Sequence, residues 1–171
     1  MIDDEEHGVC LAGGRGPLRL EDVLLYARKA NRIAPTQVVR ADRVVGADHV
    51  RSAALHAWRA LREGRNHAKR IEVEFLRYLA GERQIQKAIE KMGLPERADE
   101  AVLIALGDKR QDAVRYLLHQ LALDEDDHVA LPSEAKLRAF GVTEAMMEAT
   151  RPERRMDLPL EAVAAVDLMR T

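Results

Sequence analysis

Residues 49–94 constrain the fold most, because periodic segments and breaks alternate along them. Over residues 48–62, apolar side chains recur at helical spacing and form one stripe along a helix. The stripe consists of Val50, Ala54, Ala57, Trp58 and Leu61. A basic turn at residues 64–70 then interrupts the pattern. The stretch is therefore expected to begin with an amphipathic helix that ends before this turn.

The segment after the turn, residues 71–80, has the pattern of a β-strand. Apolar residues alternate with Glu72 and Glu74 in its first half, and its second half is apolar on both sides apart from Arg77. Such a sequence is typical of a strand that enters a sheet covered on both faces. Gly81 is expected to end this strand.

A helix is predicted to open at Glu82, with Ile85, Ile89 and Met92 buried and Gly93 as its stop. A helix N-terminus presents unpaired N–H groups and a positive dipole end, which together favour a carboxylate or a phosphate. The expected anion site is therefore the start of this helix.

Two groups of side chains could complete that anion site. Arg83 and Gln84 lie in the first turn, and both carry hydrogen-bond donors. Arg65, Asn66 and Lys69 belong to the turn before the expected strand, and they flank the site if the sheet brings them close. Ordinary helix capping is the alternative interpretation.

The rest of the chain predicts an α/β fold: a single domain over residues 1–171, with one mixed sheet of about four strands and helices on both faces. Further strands are predicted at residues 8–12, 36–41 and 101–106. Further helices are predicted at residues 20–30, after Asp108, and at residues 133–140, 143–149 and 160–169.

Local signals add detail to this outline. The glycine-rich segment 13–17 is predicted to be a turn, because it lacks the endings that phosphate-binding loops require. Asp108 and Gln111 have the spacing of a capping box. The acidic run 124–128 lacks the pattern of a calcium loop and is expected to be a solvated loop.

Composition restricts the class of protein. A chain of 171 residues suits one domain, and its single Cys10 excludes an internal disulfide and a multi-cysteine metal site. No apolar run reaches the roughly 18 residues of a membrane span, and the acidic start is unlike a presequence. A cytoplasmic location without a membrane partner is the expectation.

Charge is distributed unevenly. Residues 49–94 contain ten Lys or Arg and five acidic residues, which leaves this block at +5 and the remainder at −7 for a chain of net charge −2. Such a block favours an anionic partner. A solvated charged face is the alternative interpretation.

The sequence contains no recognisable catalytic set. His49 and His56 are seven residues apart, which is too far for one metal ion, and they are interpreted as surface histidines. Cys10 has no adjacent base, and His119 and His128 are unpaired. The chain is therefore expected to be neither an enzyme nor a carrier of a metal or another cofactor.

The central block resembles a known family. The similarity is carried by residues 42–49, 52–57, 65–69, 74–85, 88–89 and 93–94, within a matching block at 36–114. Residues 76–85, Leu-Arg-Tyr-Leu-Ala-Gly-Glu-Arg-Gln-Ile, are similar to a motif of the TPRKB (PRPK-binding protein) family. The family is the small regulatory subunit of the archaeal and eukaryotic KEOPS/EKC complex, and the chain resembles its archaeal type. Ala80 replaces a serine and His67 replaces an aliphatic residue of the family pattern.

This resemblance implies a role in making N6-threonylcarbamoyladenosine in tRNA. The subunit would not be the catalyst: it would bind the kinase subunit directly, contact other KEOPS subunits indirectly, stimulate ATP turnover by the kinase, and hold the tRNA 3′ CCA end. The residues expected to contact tRNA are Arg65, Asn66, Lys69, Gly81, Arg83, Gln84 and Ile85. Few aromatic residues are available, so backbone contacts and packing on Ile85 are expected more than stacking.

The kinase is expected to dock on helices 20–30 and 160–169, beside part of the central helix at residues 48–62. The last helix is apolar around most of its circumference, so it needs burial on more than one side. The expected contacts are Val23, Leu24, Leu160, Val163, Val166 and Met169. Complete burial of the last helix within its own domain is the alternative.

Two other functions are considered. The first is a protein-only kinase adaptor without RNA binding, which the ten basic residues of the central block argue against. The second is a small-molecule anion-binding or acid–base protein built on Arg83 and His56, which the lack of a phosphate-loop motif argues against.

Overall fold

A computed structural model of the chain describes residues 1–169. Its centre is an antiparallel sheet of five strands, in which β1, β2, β4 and β3 are neighbours in that order and β5 pairs with β2. The strands are β1 Ile2–Asp4, β2 Val9–Arg19, β3 Thr36–Arg40, β4 Arg97–Leu106 and β5 Asp124–Glu125. The pairing is antiparallel throughout, whereas a mixed sheet was expected.

Eight α-helices surround the sheet within residues 1–169. They are α1 Leu20–Ala30, α2 Gly46–Arg62, α3 Ile71–Ala80, α4 Ile85–Met92, α5 Arg110–Gln120, α6 Glu134–Phe140, α7 Glu144–Ala149 and α8 Leu158–Ala165. Within this range, none of these helices has the length and apolar character needed to cross a membrane.

The alternation of the central strands produces two apolar layers. Leu11, Val102 and Ile104 face α2, α3 and α8 on one side of the sheet. Cys10 and Leu103 face α1 and α5 on the other side. The predicted α/β class, with helices on both faces of one sheet, is thereby confirmed.

The prediction of a strand at residues 71–80 is wrong, because this segment forms α3. The residues from Glu74 to Ala80 are all buried, so the helix has no polar stripe to reveal its period. A short segment that is buried on every side cannot be assigned by periodicity alone. Gly81 ends the helix with φ of 66°, and its N–H and that of Glu82 bond to the carbonyls of Tyr78 and Arg77. This is a Schellman motif, which glycine favours.

The glycine-rich turn at residues 13–17 is also a wrong prediction, because β2 continues through it to Arg19. Glycine is needed at Gly13 because the backbone at Asp126 packs directly against this strand. A Cβ atom on Gly13 would lie 2.1 Å from the carbonyl oxygen of Asp126. The acidic run contains β5, which pairs with β2 at Gly14 and Arg15, so it is more than a solvated loop.

Two helix ends differ from expectation. The helix after Asp108 begins at Arg110 without a side-chain cap, because Gln111 and Arg110 both donate to the carboxylate of Asp3 in β1. The last α-helix ends at Ala165, and a single 3₁₀ turn, Val166–Leu168, follows it. This turn places Asp167 next to α2 and α3.

Candidate functional site

A buried ion pair on α3 organises the candidate site. The guanidinium of Arg77 donates to Glu74 Oε1 at 2.6 Å, and both side chains are only 1% exposed. The two residues are three apart, so they share one face of α3. Burial of a charged pair is costly unless further hydrogen bonds satisfy both partners, and here they do.

Those further hydrogen bonds reach backbone on both sides of the pair. The second carboxylate oxygen of Glu74 accepts the N–H groups of His67 and Ala68, at 3.1 and 2.8 Å. The Nε atom of Arg77 donates to the carbonyl of Arg83 at 2.7 Å. The pair therefore holds the turn before α3 and the connection after it along one side of the helix.

The space between these two connections is a cleft of about 510 Å³, here called the basic cleft. It is lined by Arg65, His67, Arg77, Tyr78, Arg83, Val166, Asp167 and Met169. Three of the eight lining residues that the structure describes are arginines, so the cleft suits an anionic ligand. The structure thus brings together Arg65 and Arg83, which are 18 positions apart in the sequence.

Asp167 accepts three hydrogen bonds at the edge of the basic cleft. Its carboxylate receives the Tyr78 hydroxyl at 2.7 Å, His56 Nδ1 at 2.8 Å and the Arg65 guanidinium at 3.0 Å. Burial alone would raise the pKa of Asp167, but these three hydrogen bonds outweigh it and lower the pKa below its ordinary value. Burial, with the bond to Asp167, raises the pKa of the Tyr78 hydroxyl.

The other residues expected to contact tRNA are not among the described residues that line the cleft. Asn66 is half-buried beside Arg65, and its side chain donates to the carbonyl of Ala68 at 2.9 Å. Gln84 is the exposed N-cap residue of α4, Ile85 begins that helix, and Lys69 is exposed in the turn before α3. Gly81 packs against Ala162 of α8. The expected helix start at Glu82 is corrected to Ile85.

Local acidic partners neutralise part of the basic block. Arg51 pairs with Asp4 and Asp48, and Lys91 lies 4.0 Å from Glu82. Arg65 itself pairs with Glu63 as well as Asp167. The sequence total of +5 therefore overstates the charge that an anionic ligand would meet.

An apolar groove of about 530 Å³ lies on the other side of α3. Leu20, Val23, Leu24 and Ala27 of α1 form one wall, and α4 forms another with Ile89 and Met92. The edge strand β3 and Val73 and Leu76 of α3 form its base. Leu24 is 59% and Ile89 47% exposed, so the expectation that Ile89 is buried is wrong.

A model of the family described as "Kinase binding protein CGI-121" matches residues 20–141. The chain belongs to this family. The matched residues contain α1, the basic turn, α3 and α4, so they include most of both the basic cleft and the apolar groove. No curated protein sequence matches the chain.

In this CGI-121 chain, the residues expected at the kinase interface are not brought together. Val23 packs in the layer with α5, whereas Val163 and Val166 pack in the layer with α2 and α3. Val163 is fully buried, and Leu160 is half-buried. Leu24 and Met169 are the exposed members of the set. Leu24 lies on α1, and Met169 follows the 3₁₀ turn Val166–Leu168.

The histidine and cysteine assignments are refined by their surroundings. His49 is fully buried, so its assignment to the surface is wrong. Its ring accepts the N–H of Val45 and donates to the carbonyl of Leu79, and burial lowers its pKa to about 4. Burial has the opposite effect on an acidic group, and it raises the pKa of the Cys10 thiol to about 11. His56 contacts Asp167 at the edge of the basic cleft, whereas His67 is among the described residues that line the cleft.

Sequence reasoning did not identify Glu74, Arg77, Tyr78 or Asp167 as parts of the site. A local signal did exist for the first two, because a glutamate and an arginine at i and i+3 are neighbours on a helix. Within a predicted strand, that spacing has no meaning. Asp167 lies 89 residues from Tyr78, and no local pattern connects them.

Proposed function

We propose that this chain is the non-catalytic, tRNA-binding regulatory subunit of a KEOPS-type complex and that it contacts the kinase subunit directly. Membership in a family of kinase-binding proteins supports the kinase partner. The observation that supports RNA binding is the basic cleft, in which Arg65 and Arg83 lie on connections held by the buried pair of Glu74 and Arg77.

The cleft fits a single-stranded RNA end better than a duplex. Splayed nucleotides are held by phosphate contacts and by packing of bases on side chains. Arginines line this cleft, Met169 offers apolar surface within it, and Ile85 follows Arg83 by two positions in the chain. The tRNA 3′ CCA end is the RNA segment that the family resemblance implies, and the complex would use it for threonylcarbamoyladenosine synthesis.

The contribution of the 3′ CCA end to tRNA affinity is tested by removing it from the tRNA. Intact tRNA should bind the purified chain about tenfold or more tightly than the same tRNA without its CCA, because each stacked or packed base contributes about 1–3 kcal/mol. Fluorescence anisotropy at one fixed salt concentration measures both affinities. Equal affinities would contradict binding of the 3′ end and would favour the protein-only adaptor.

For the kinase, we propose that the apolar groove is the docking surface. Its exposed apolar residues, Leu24 and Ile89, lie on two helices and can be covered by one partner. An exposed apolar patch of this kind marks a partner surface. The expected contacts Val23 and Leu24 belong to this groove. Leu160 and Met169 belong to the alternative surface at the C-terminal segment, where Val163 and Val166 are buried.

Charged substitutions distinguish the two surfaces. Leu24→Glu and Ile89→Glu should each weaken kinase binding about tenfold or more, while thermal stability changes little because both side chains are exposed. Leu131→Glu is the matched control, since Leu131 is 52% exposed and does not line the groove among the described residues. Titration calorimetry with the partner kinase measures the effect. Normal binding by both groove variants with loss of binding in Met169→Asp would place the kinase on the C-terminal segment.

A further inference from the structure

The three donors around Asp167 form a compact site for an anion. Tyr78 is 3% exposed and presents its hydroxyl from α3, His56 presents Nδ1 from α2, and Arg65 reaches in from the connecting turn. Because a carboxylate only accepts hydrogen bonds, all three groups act as donors here. An arginine, a hydroxyl and an imidazole are also suitable donors for the oxygens of a phosphate.

The present occupant of this site belongs to a short terminal segment. Asp167 lies in the single turn Val166–Leu168, which follows α8. Val166 is buried and anchors the turn, but Leu168 is 82% and Met169 42% exposed. The carboxylate of Asp167 therefore contributes much of the attachment of this turn to α2 and α3.

The site opens directly onto the basic cleft, because Arg65, Tyr78 and Asp167 line both. A ligand phosphate that entered the cleft would find its nearest donors already occupied by an internal carboxylate. It would also meet the negative charge of that carboxylate. Binding of an anion deep in the cleft therefore requires Asp167 to leave the donors.

We propose that His56, Arg65 and Tyr78 form a phosphate-binding site for the 3′ end of RNA, and that Asp167 occupies this site as an internal competitor until RNA displaces it. The inference rests on the proposed RNA-binding function and adds the identity of the phosphate site. Occupation by Asp167 lowers the apparent affinity for RNA, because this affinity is proportional to the fraction of molecules in which the site is open.

Asp167→Asn tests the competition with an RNA minihelix that ends in CCA. The substitution keeps the size of the side chain and removes its charge, so the minihelix should bind about fivefold to tenfold more tightly. Glu63→Gln is the matched control: it removes one negative charge that also pairs with Arg65 but lies outside the Asp167 site. Glu63→Gln should increase the affinity for the minihelix clearly less than Asp167→Asn does. In the Asp167→Asn background, Tyr78→Phe should remove most of the gain, because the hydroxyl then binds phosphate.

Displacement can also be observed in the unaltered chain. The ¹³C-labelled methyl groups of Leu168, assigned with a Leu168→Met sample, should shift and narrow when the minihelix saturates the protein. Leu168 shares the turn of Asp167 but is not among the described residues that line the cleft. The inference is overturned if these signals do not change, if Asp167→Asn fails to raise affinity, or if Glu63→Gln raises it equally. In those cases RNA binding by the unaltered chain still supports the proposed function. If neither the unaltered chain nor Asp167→Asn binds the minihelix, both proposals are contradicted.

Discussion

Arg77→Met should lower the free energy of unfolding by about 3–5 kcal/mol, because it leaves the carboxylate of Glu74 buried without its charged partner. Both side chains are 1% exposed, so water cannot replace the lost guanidinium. The substitution also removes the donor to the carbonyl of Arg83. The midpoint of urea unfolding measures the loss.

The control for this experiment is Arg115→Met. Arg115 pairs with Asp112 three residues earlier on α5, but both side chains are exposed, at 59% and 65%, so its loss should cost less than about 1 kcal/mol. A further variant with Glu74→Leu and Arg77→Met should recover part of the stability, because no unpaired charge is left in the interior. Recovery is incomplete, since the N–H groups of His67 and Ala68 lose their acceptor. A loss below about 1 kcal/mol for Arg77→Met would contradict the structural role of the pair.

Arg83→Glu should weaken tRNA binding about tenfold or more at moderate salt, because a favourable phosphate contact becomes a repulsion. Arg83 lines the basic cleft, and its backbone is fixed by the bond from Arg77. Loss of one phosphate contact should also reduce the slope of log affinity against log salt by about 1. Affinities measured at four or more salt concentrations give both quantities.

Arg28→Glu is the matched control for charge reversal. Arg28 is exposed on α1, which packs on the opposite side of the sheet from α2, so it changes the net charge without touching the cleft. Its effect on tRNA affinity should be much smaller, and the salt slope should not change. An equal loss for both variants would indicate that tRNA responds to net charge rather than to the cleft.

Local sequence signals predicted the parts of the fold that depend on local interactions. The stripe of α2 is confirmed at Val50, Ala54 and Ala57, which are all fully buried. Of its other two members, Trp58 is half-buried and Leu61 is 38% exposed. The capping oxygen of Ser133 accepts the N–H of Lys136 at 3.2 Å, as its position before an apolar run predicts. Signals of this kind act within a few residues, so they do not require knowledge of the rest of the chain.

The failures have a common cause in tertiary packing. α3 is surrounded by α2, α4 and α8, which hides its helical period. Gly13 is required by Asp126, which is distant in sequence, rather than by a turn. The candidate site also combines local and tertiary information. Arg65 and Arg83 could be selected from the sequence, but that both line one cleft, and that Arg65 contacts Asp167, depends on the folded chain.

The most direct test of the RNA site combines two changes, Arg83→Glu and removal of the tRNA CCA, in one thermodynamic cycle. Four affinities are measured at a single salt concentration, for each protein with each tRNA. If the tail lies in the basic cleft, Arg83→Glu should cost about tenfold with intact tRNA and much less with trimmed tRNA, because the two changes remove the same contact. Equal losses with intact and trimmed tRNA would show that Arg83 does not contact the 3′ end.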